Sequence, residues 1–385
     1  MRKIAMALVL SGGLLGSGAV AAQAAGPGAA TLYVSPSGTS GAPDTSCGTA
    51  AYSNINTAVK AASSGGTVVV CKGTYNTQVV VSKPLNLIGR AGAVINAKGQ
   101  PPLTVGKMKL MGSIGIGVLA TSDVRVSGFK VEDAGFDAIL VGLSSHVSVT
   151  RNVLTGNGDV GVDINGSSYS QASYNTSEDN MGGGFLVADD VGPNSHNTVS
   201  WNVATDNPGG CGVIVAGHST SGVTDNLVAD NLLTYNGTLK STGGGAGALI
   251  ATEVPGETVA DNTVSGNTIY GNGLAGVTIH AHLPGQNLNG NVITGNRIGT
   301  NNTLGDPIDL STSPTSMKNV ATPDNKTTGI LVGSASPITV QISKNYIYSN
   351  YYGIFLEGVG KAVNATLFGN RFRSVTVQVK SIVVS

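Results

Sequence analysis

The chain has 385 residues, of which 11% are charged, 41% are hydrophobic and 56 are glycine. Ordinary globular proteins carry about 25% charged residues, so this composition disfavours helices and favours short strands joined by turns. The formal net charge is zero, and no basic tract favours nucleic acid or an anionic membrane surface as a partner.

The first residues predict export from the cell. Arg2 and Lys3 precede an apolar run over residues 4–20, and small residues end in Ala22-Gln23-Ala24, a cleavage pattern typical of signal peptides. A membrane anchor is the alternative, but the run is short for a bilayer span and glycines interrupt it. We therefore interpret residues 1–24 as a signal peptide and expect a secreted, extracellular protein without later membrane segments.

An N-terminal extension is expected over residues 25–51, and it contains Cys47. An exported protein can oxidise Cys47 with Cys71, and closing this loop would stabilise the fold by roughly 3 kcal/mol. The third cysteine, Cys211, lies in a Gly-rich strand pattern, which indicates a buried small apolar position rather than a catalytic thiol.

A short capping helix is predicted next. Ile55, Ala58, Val59 and Ala62 have helical spacing, and Gly65-Gly66 ends the pattern. A strand over 67–71 and further valine-rich strands follow. The helix is therefore expected to precede the first of these strands and to cap the N-terminal end of the fold.

From residue 149 onward the sequence repeats. Asparagine recurs once per repeat, and in the first seven repeats a second asparagine follows five residues later; the first set is Asn152, Asn175, Asn202, Asn231, Asn267, Asn296, Asn345 and Asn370, and the second is Asn157, Asn180, Asn207, Asn236, Asn272, Asn301 and Asn350. Asparagine tolerates left-handed backbone at bends, and its amide can bond the asparagine of the next coil. The repeat therefore predicts stacked coils with asparagine columns at two bends.

A second strand opens with glycine in each repeat, as in Gly161-Val162-Asp163-Ile164. The first and third residues after this glycine are expected to face the core, and the second and fourth to face outward. Insertions over 236–247 and about 305–329 lengthen single turns, and such insertions in solenoids frequently border the binding face.

The helix followed by Val68-Val69-Val70 and Gly73-Thr74-Tyr75, together with the later N-x-[VIT]-x-x-N coils, resembles the pectin-lyase-like superfamily. The resemblance spans roughly residues 52–375 and implies an all-β, single-domain right-handed parallel β-helix over 52–385. That fold hosts lyases, hydrolases, epimerases, transferases, tailspikes and inert adhesins. The specific signatures of polygalacturonases and mannuronan epimerases are absent, so no enzyme family is assigned by motif.

A polar row marks the candidate site. The sixth residue after the opening glycine is ionisable in four neighbouring coils, namely Asp190, His218, Glu253 and His282. We predict that these four are catalytic and line one groove bordered by the 236–247 or 305–329 insertion. Asp163, Asp189 and His280 are expected beside them as substrate-binding residues. A solvated turn is the alternative interpretation of this row.

Charge favours a neutral glycan over a polyuronate. Residues 152–296 contain twelve acidic side chains and one basic side chain, Lys240. Asp190 and Glu253 are predicted to be the acid/base pair of a glycoside hydrolase, with His218 between them tuning their pKa values. Because close carboxylates repel one another, at least one of the two is expected to have a raised pKa.

Other uses of these residues stay open. His218, Glu253 and His282 can ligate Zn²⁺ or another transition ion, and bend residues can hold Ca²⁺; otherwise no metal or cofactor is expected. A lyase or epimerase of acidic glycans and a non-catalytic glycan-binding surface protein are the alternative functions. The expected partner is a polysaccharide or oligosaccharide, without nucleic acid or membrane, and the expected state is a monomer.

Two aromatic features complete the prediction. Trp201 directly precedes a ladder asparagine; packing at the bend and stacking on a sugar are both open, and it is included among the substrate-binding residues. Tyr346, Tyr348, Tyr351 and Tyr352 cluster on the penultimate coil and are interpreted as a second stacking surface.

Overall fold

A computed structural model describes residues 30–385, so the predicted signal peptide lies outside the described residues. Three long parallel sheets, here called A, B and C, run along one solenoid, and each coil of the repeat contributes one strand to each of them. This confirms the all-β parallel β-helix. No helix among residues 30–385 has the length and apolar character needed to cross a membrane.

Sheet A has twelve strands: Thr31–Val34, Gly66–Val70, Leu85–Gly89, Val124–Ser127, Ser148–Thr150, Gln171–Ser173, Thr198–Ser200, Leu227–Ala229, Thr263–Ser265, Asn291–Thr294, Thr339–Ser343 and Asn364–Phe368. Sheet B has eleven: Gly73–Asn76, Ala93–Asn96, Lys130–Glu132, Val153–Thr155, Thr176–Glu178, Val203–Thr205, Leu232–Thr234, Thr268–Tyr270, Arg297–Ile298, Tyr346–Tyr348 and Arg371–Arg373. Sheet C also has eleven: Val79–Val81, Ile116–Leu119, Ile139–Gly142, Val160–Asn165, Gly183–Ala188, Cys211–Gly217, Ala248–Thr252, Val277–Ala281, Thr328–Ser334, Tyr352–Val359 and Val377–Val384.

Smaller elements lie in the turns. Three short strands form a further sheet, at Asn194–Ser195, Val223–Thr224 and Val259–Ala260. Two antiparallel hairpins are built by Thr104–Val105 with Met108–Lys109 and by Ser311–Ser313 with Ser316–Asn319. The α-helix spans Ile55–Ala61, and 3-10 turns lie at Cys47–Thr49 and Lys240–Thr242.

The asparagine columns form as predicted. In the first column, the side-chain oxygen of Asn231 accepts bonds from the backbone N–H and the side-chain amide of Asn202, at 2.9 and 3.0 Å. The Asn231 amide in turn donates to Asn267 and to the carbonyl of Val199. The second column repeats this pattern from Asn157 to Asn301. A third column, through Asn197, Asn226, Asn262 and Asn291, was not predicted, because it starts from serine in the earlier coils.

The N-terminal segment closes the first coil. The helix begins after Asn54, whose side chain accepts a bond from the N–H of Thr57, and it buries Ile55, Ala58 and Val59. The predicted disulfide between Cys47 and Cys71 is present, with the Cα atoms 5.7 Å apart. Thr31–Val34, within the expected extension, pairs in parallel with Gly66–Val70 and so joins sheet A.

Side-chain alternation in sheet C sets up the site. Val162 and Ile164 face the core, as do their partners in the next coil, whereas Asp163 faces outward. The pairing register of sheet C aligns Asp163 with one outward-facing residue in each neighbouring strand. The resulting column along the solenoid is Leu140, Asp163, Leu186, Ile214, Leu249, Thr278, Leu331 and Phe355.

Two segments cover the ends of this column. Residues 103–114, here called the N-terminal loop, pack on Leu140. Residues 305–324, here called the flap, pack on Leu331 and Phe355 through Ile308 and Leu310. The column is therefore exposed only between these segments.

Candidate functional site

The outer face of sheet C is partly open between the N-terminal loop and the flap. Leu186, Ile214 and Leu249 are half-buried there, whereas the same position is fully buried at Leu140 and Asp163 on one side and at Thr278 on the other. Parallel strands lie about 4.8 Å apart, so the floor from Leu186 to Leu249 is about 10 Å long. We call this surface the axial groove. It is open, partly apolar and comparable in length to about two sugar units.

Asp190 and His218 meet at one edge of the axial groove, as the sequence predicted. Nδ1 of His218 lies 3.0 Å from Oδ1 of Asp190, and the amide of Asn165 donates to Oδ2 of Asp190 at 2.6 Å. The bond to Asp190 is the largest cause that raises the pKa of His218 to about 9, against the effect of burial. His218 is therefore charged at neutral pH and forms an ion pair with Asp190.

The pKa of Asp190 differs from the expectation. Burial opposes its ionisation, but the hydrogen bond and charge of His218 and the bond from Asn165 outweigh burial and lower the pKa of Asp190. The expectation that at least one carboxyl of the pair Asp190 and Glu253 has a raised pKa is therefore not met at Asp190. A carboxylate that stays ionised can act as a base or a nucleophile, but it cannot supply a proton at neutral pH.

Three carboxyls near this pair have raised pKa values. Burial is the largest cause for Asp137, Asp159 and Asp163, and neighbouring negative charge adds to it in each case. Asp137 and Asp163 are almost completely buried, and each has one buried carboxyl oxygen without a hydrogen-bond partner. Asp159 is half-buried at the start of its strand, so it is the most accessible of the three.

The local sequence makes room for Asp159. The backbone of Gly182 lies against the Asp159 carboxyl, and a Cβ atom added at Gly182 would come within 1.7 Å of Oδ1. A residue with a side chain at Gly182 would therefore displace the carboxyl from the edge of the groove. The glycine at position 182 is therefore needed to keep the Asp159 carboxyl in place, and not only for the backbone of the coil.

Asp189 is not a substrate-binding residue in this structure. It is fully buried, and its carboxyl accepts bonds from the backbone N–H groups of His218, Ser219 and Gly222 in the next coil. The Ser219 hydroxyl donates to it as well. Asp189 thus fixes the turn that carries His218, and the predicted contact with substrate is corrected to a structural role.

Glu253 lies in a turn of a different shape. Glu257 accepts bonds from the backbone N–H groups of Glu253 and Val254, which folds this turn back on itself. The side chain of Glu253 is exposed, and its negative charge adds to the raised pKa of His218. Burial raises the pKa of Glu257 to about 7. Glu257 was not among the site residues predicted from the sequence.

His280 and His282 lie at the other end of the groove, under and beside the flap. Nδ1 of His282 lies 2.6 Å from the carbonyl oxygen of Asp309 in the flap. His280 is buried with Nε2 3.7 Å from Oδ1 of Asp306, and burial lowers the pKa of His280 well below its ordinary value. The flap thus borders the groove as predicted for the 305–329 insertion. His218, Glu253 and His282 each directly follow one of the register partners Gly217, Thr252 and Ala281, so the predicted row of four catalytic residues stays a prediction. His280, by contrast, is buried and not open to substrate.

Trp201 lies on another face. It stands at the corner between sheets A and B, is 55% exposed, and stacks on Tyr174 with the ring centroids 6.4 Å apart. Trp201 therefore lies apart from Asp190 and His218, and its predicted contact with a sugar stays a prediction. No group of three or more side chains suited to hold a metal ion occurs among residues 30–385.

Sequence analysis missed Asp137, Asp159 and Asn165 for related reasons. Asp159 directly precedes a strand of sheet C, Asp137 lies two residues before another, and Asn165 ends one, whereas the predicted site residues other than Trp201 all follow the opening glycine of a second strand. The residues before each strand also belong to the repeat, and including them would have added Asp159 to the candidates. The coil containing Asp137 lacks the first asparagine, so it fell outside the aligned repeat.

The sequence matches the family model described as right handed beta helix region over residues 86–232 and 254–380. Because this match covers more than half of the chain, the protein belongs to the right-handed β-helix family. A comparison with the curated proteins finds no match.

Solved structures with the same fold have diverse roles. The A-module of the mannuronan C-5 epimerase AlgE4 of Azotobacter vinelandii is 15% identical, with a TM-score of 0.56 over 84% of this chain and 91% of that chain. The surface adhesin PfbA of Streptococcus pneumoniae is 13% identical, with a TM-score of 0.52 over 84% and 86%. A tailspike protein of the E. coli bacteriophage HK620 is 12% identical, with a TM-score of 0.51 over 90% and 60%. At these identities the likeness establishes the fold.

Proposed function

We propose that the protein is a secreted enzyme that hydrolyses or transfers glycosyl units of a polysaccharide bound along the axial groove. The observation that carries this proposal is the carboxylate of Asp190, held by His218 and Asn165 at the edge of the groove and kept ionised there, together with the raised pKa of Asp159, whose carboxyl interacts electrostatically with Asp190. Environments that drive two carboxyls apart in this way assign one as acid and the other as base. The predicted export signal, a disulfide and a fold shared with a mannuronan epimerase module and a surface adhesin support an extracellular glycan as substrate.

In the proposed reaction, Asp159 donates its proton to the glycosidic oxygen as the bond to the leaving sugar breaks. Asp190 is ionised and either takes a proton from an attacking water or attacks the sugar itself. His218 acts as a positioning residue, because its charge keeps Asp190 ionised and its ring holds the carboxylate in place. This replaces the pair Asp190 and Glu253 with Asp190 and Asp159, while Glu253 contributes charge at the rim.

Charge favours a neutral or weakly charged glycan at this site. Residues 152–296 carry twelve acidic side chains and only Lys240 as a basic one, so a polyuronate meets a repulsive field there. The half-buried aliphatic floor of Leu186, Ile214 and Leu249 suits the apolar faces of sugar rings.

The test is turnover of a panel of neutral polysaccharides, measured as new reducing ends. Asp159→Asn and Asp190→Asn are each expected to lower kcat at least about 100-fold with little change in the unfolding midpoint. Asp206→Asn is the matched control, since Asp206 is an exposed bend residue whose carboxylate accepts a bond from the Thr205 hydroxyl and lies outside the groove. Full activity in either groove variant would contradict the assignment.

A second candidate is an epimerase or lyase of acidic glycans. The raised pKa values of Asp137, Asp159 and Asp163 favour it, because protonation of these carboxyls lowers the negative charge that would repel a uronate. Incubation with alginate and polygalacturonate, followed by absorbance of unsaturated ends and by sugar composition, separates this candidate from hydrolysis. Saturable binding without any product would instead support the non-catalytic surface protein.

A further inference from the structure

The outer face of sheet B changes character in the last coils. Arg297, Tyr346 and Arg371 are register partners in one outward column, and Tyr348 and Arg373 are partners in the next. Two tyrosines therefore lie between Arg297 on one side and two arginines on the other. We call these five residues the Arg-Tyr face. It lies on a different sheet from the axial groove.

The tyrosine rings are held in place. Cζ of Arg297 lies 5.3 Å from the centroid of Tyr346 and 4.8 Å from that of Tyr348, and the two rings stack with their centroids 5.5 Å apart. Gly299 allows this packing, since a Cβ atom added there would lie 3.0 Å from Cζ of Tyr348 and 3.0 Å from Cβ of Tyr270. Both rings are half-buried and keep part of their surface open to solvent.

The arginines have no carboxylate partner. Among residues 30–385 the structure contains three ion pairs of side chains, and none involves Arg297, Arg371 or Arg373, all of which are exposed. From residue 297 to the last residue, 385, the chain has eight basic and four acidic side chains. Asp306, Asp324 and Glu357 are buried, which leaves only Asp309, in the flap over sheet C, as an exposed acid.

This arrangement matches the chemistry of an acidic sugar. A guanidinium group can bind a carboxylate with two parallel hydrogen bonds, and a tyrosine ring can pack against the C–H face of a sugar. The geometry points to a second binding site on the Arg-Tyr face, which takes an anionic polysaccharide carrying carboxylate groups. The acidic coils of residues 152–296 would repel the same polymer, so binding is confined to the C-terminal coils.

A nucleic acid is the competing polyanion, and the observations favour a glycan over it. The face offers three arginines in a chain of zero net charge, and the neighbouring acidic coils oppose a long, densely charged strand. Double-stranded DNA carries one charge per about 1.7 Å of its axis, whereas a uronate chain carries one per sugar and needs fewer compensating cations.

The test is binding of the purified full chain to polygalacturonate, with dextran as the neutral polymer and single-stranded DNA as the competing polyanion. We expect saturable binding of polygalacturonate that weakens with salt, and no binding of dextran. Arg297→Gln and Tyr348→Ala should each weaken binding about tenfold. Equal or tighter binding of DNA would overturn the assignment to a glycan.

Arg151→Gln is the matched control. Arg151 also stacks on a tyrosine, with Cζ 5.6 Å from the ring of Tyr174, but it lies beside the acidic coils. Its loss should leave polygalacturonate binding unchanged, and equal weakening by Arg151→Gln would show nonspecific attraction and overturn the proposal. The groove variant Asp190→Asn, which is expected to abolish turnover, should bind polygalacturonate like the wild type. The two proposals therefore fail independently.

Discussion

The bends of the coils and the axial groove both bury polar side chains, but they satisfy them differently. At the bends, the Asn231 side chain accepts two bonds and donates two, so each partner along the column is matched. In the groove, Asp137 and Asp163 keep buried carboxyl oxygens without partners. Burying an unpaired polar group is costly, and it persists only where something other than stability maintains it. The polar residues at the bends therefore build the solenoid, whereas we propose that the buried carboxyls beside the groove are kept for its function.

The largest effect is expected from breaking the first asparagine column. Asn231→Leu removes four side-chain hydrogen bonds, and the buried backbone N–H of Asn202 and the carbonyl of Val199 lose these partners. The Asn202 side chain keeps its bond to Ala172, and the Asn267 oxygen keeps the backbone N–H of residue 231. At about 1–3 kcal/mol for each of the two unpaired groups, the free energy of unfolding should fall by about 2–6 kcal/mol. Urea-induced unfolding measures this. A loss below about 1 kcal/mol would mean that water can satisfy the groups that Asn231 bonds. The bends would then not differ from the groove in how they satisfy buried polar groups.

The second prediction is a substitution that should increase the free energy of unfolding. Asp163 stands between Leu140 and Leu186 in its column, so Asp163→Leu continues an aliphatic row and removes a buried carboxyl. We expect the variant to be more stable by about 2 kcal/mol at pH 7 and to lose activity. Urea unfolding and the reducing-end assay are the measurements.

The pH dependence of the stability difference between Asp163→Leu and the wild type shows whether the gain comes from removing the buried acid. The pKa of Asp163 is raised in the folded protein, so its carboxyl burdens the folded state only where the unfolded chain ionises, above about pH 4. The advantage of Asp163→Leu should therefore be small at pH 4 and grow as the pH rises. An advantage independent of pH would attribute the gain to packing rather than to the buried acid.

The smallest effect concerns the ion pair in the groove. His218 lowers the pKa of Asp190, so His218→Gln should raise that pKa and move the acidic limb of the activity profile upward by roughly one pH unit. The alkaline limb, assigned to Asp159, should move less, since His218 is a minor influence on its pKa. A profile in which both limbs stay in place while kcat falls would indicate that His218 only packs against its neighbours.

Sequence analysis found the solenoid because hydrogen bonds between coils force equivalent residues into register. The asparagine columns, the inward aliphatic residues and the outward position of Asp163 all follow from a repeat that can be read in one dimension. The pairing of Cys47 with Cys71 and the capping helix at Ile55–Ala61 were predictable for similar local reasons.

Only the tertiary structure decided which polar residues share a site. His218, Glu253 and His282 have equal offsets in sequence, and each directly follows one of the register partners Gly217, Thr252 and Ala281. Their contacts nevertheless differ, because the turns beyond the strands differ: Asp189 fixes one turn from the coil before it, Glu257 folds the next turn on itself, and His282 contacts the flap. His218 therefore pairs with Asp190, and the charges of Asp137 and Asp159, which precede strands, interact with the same pair.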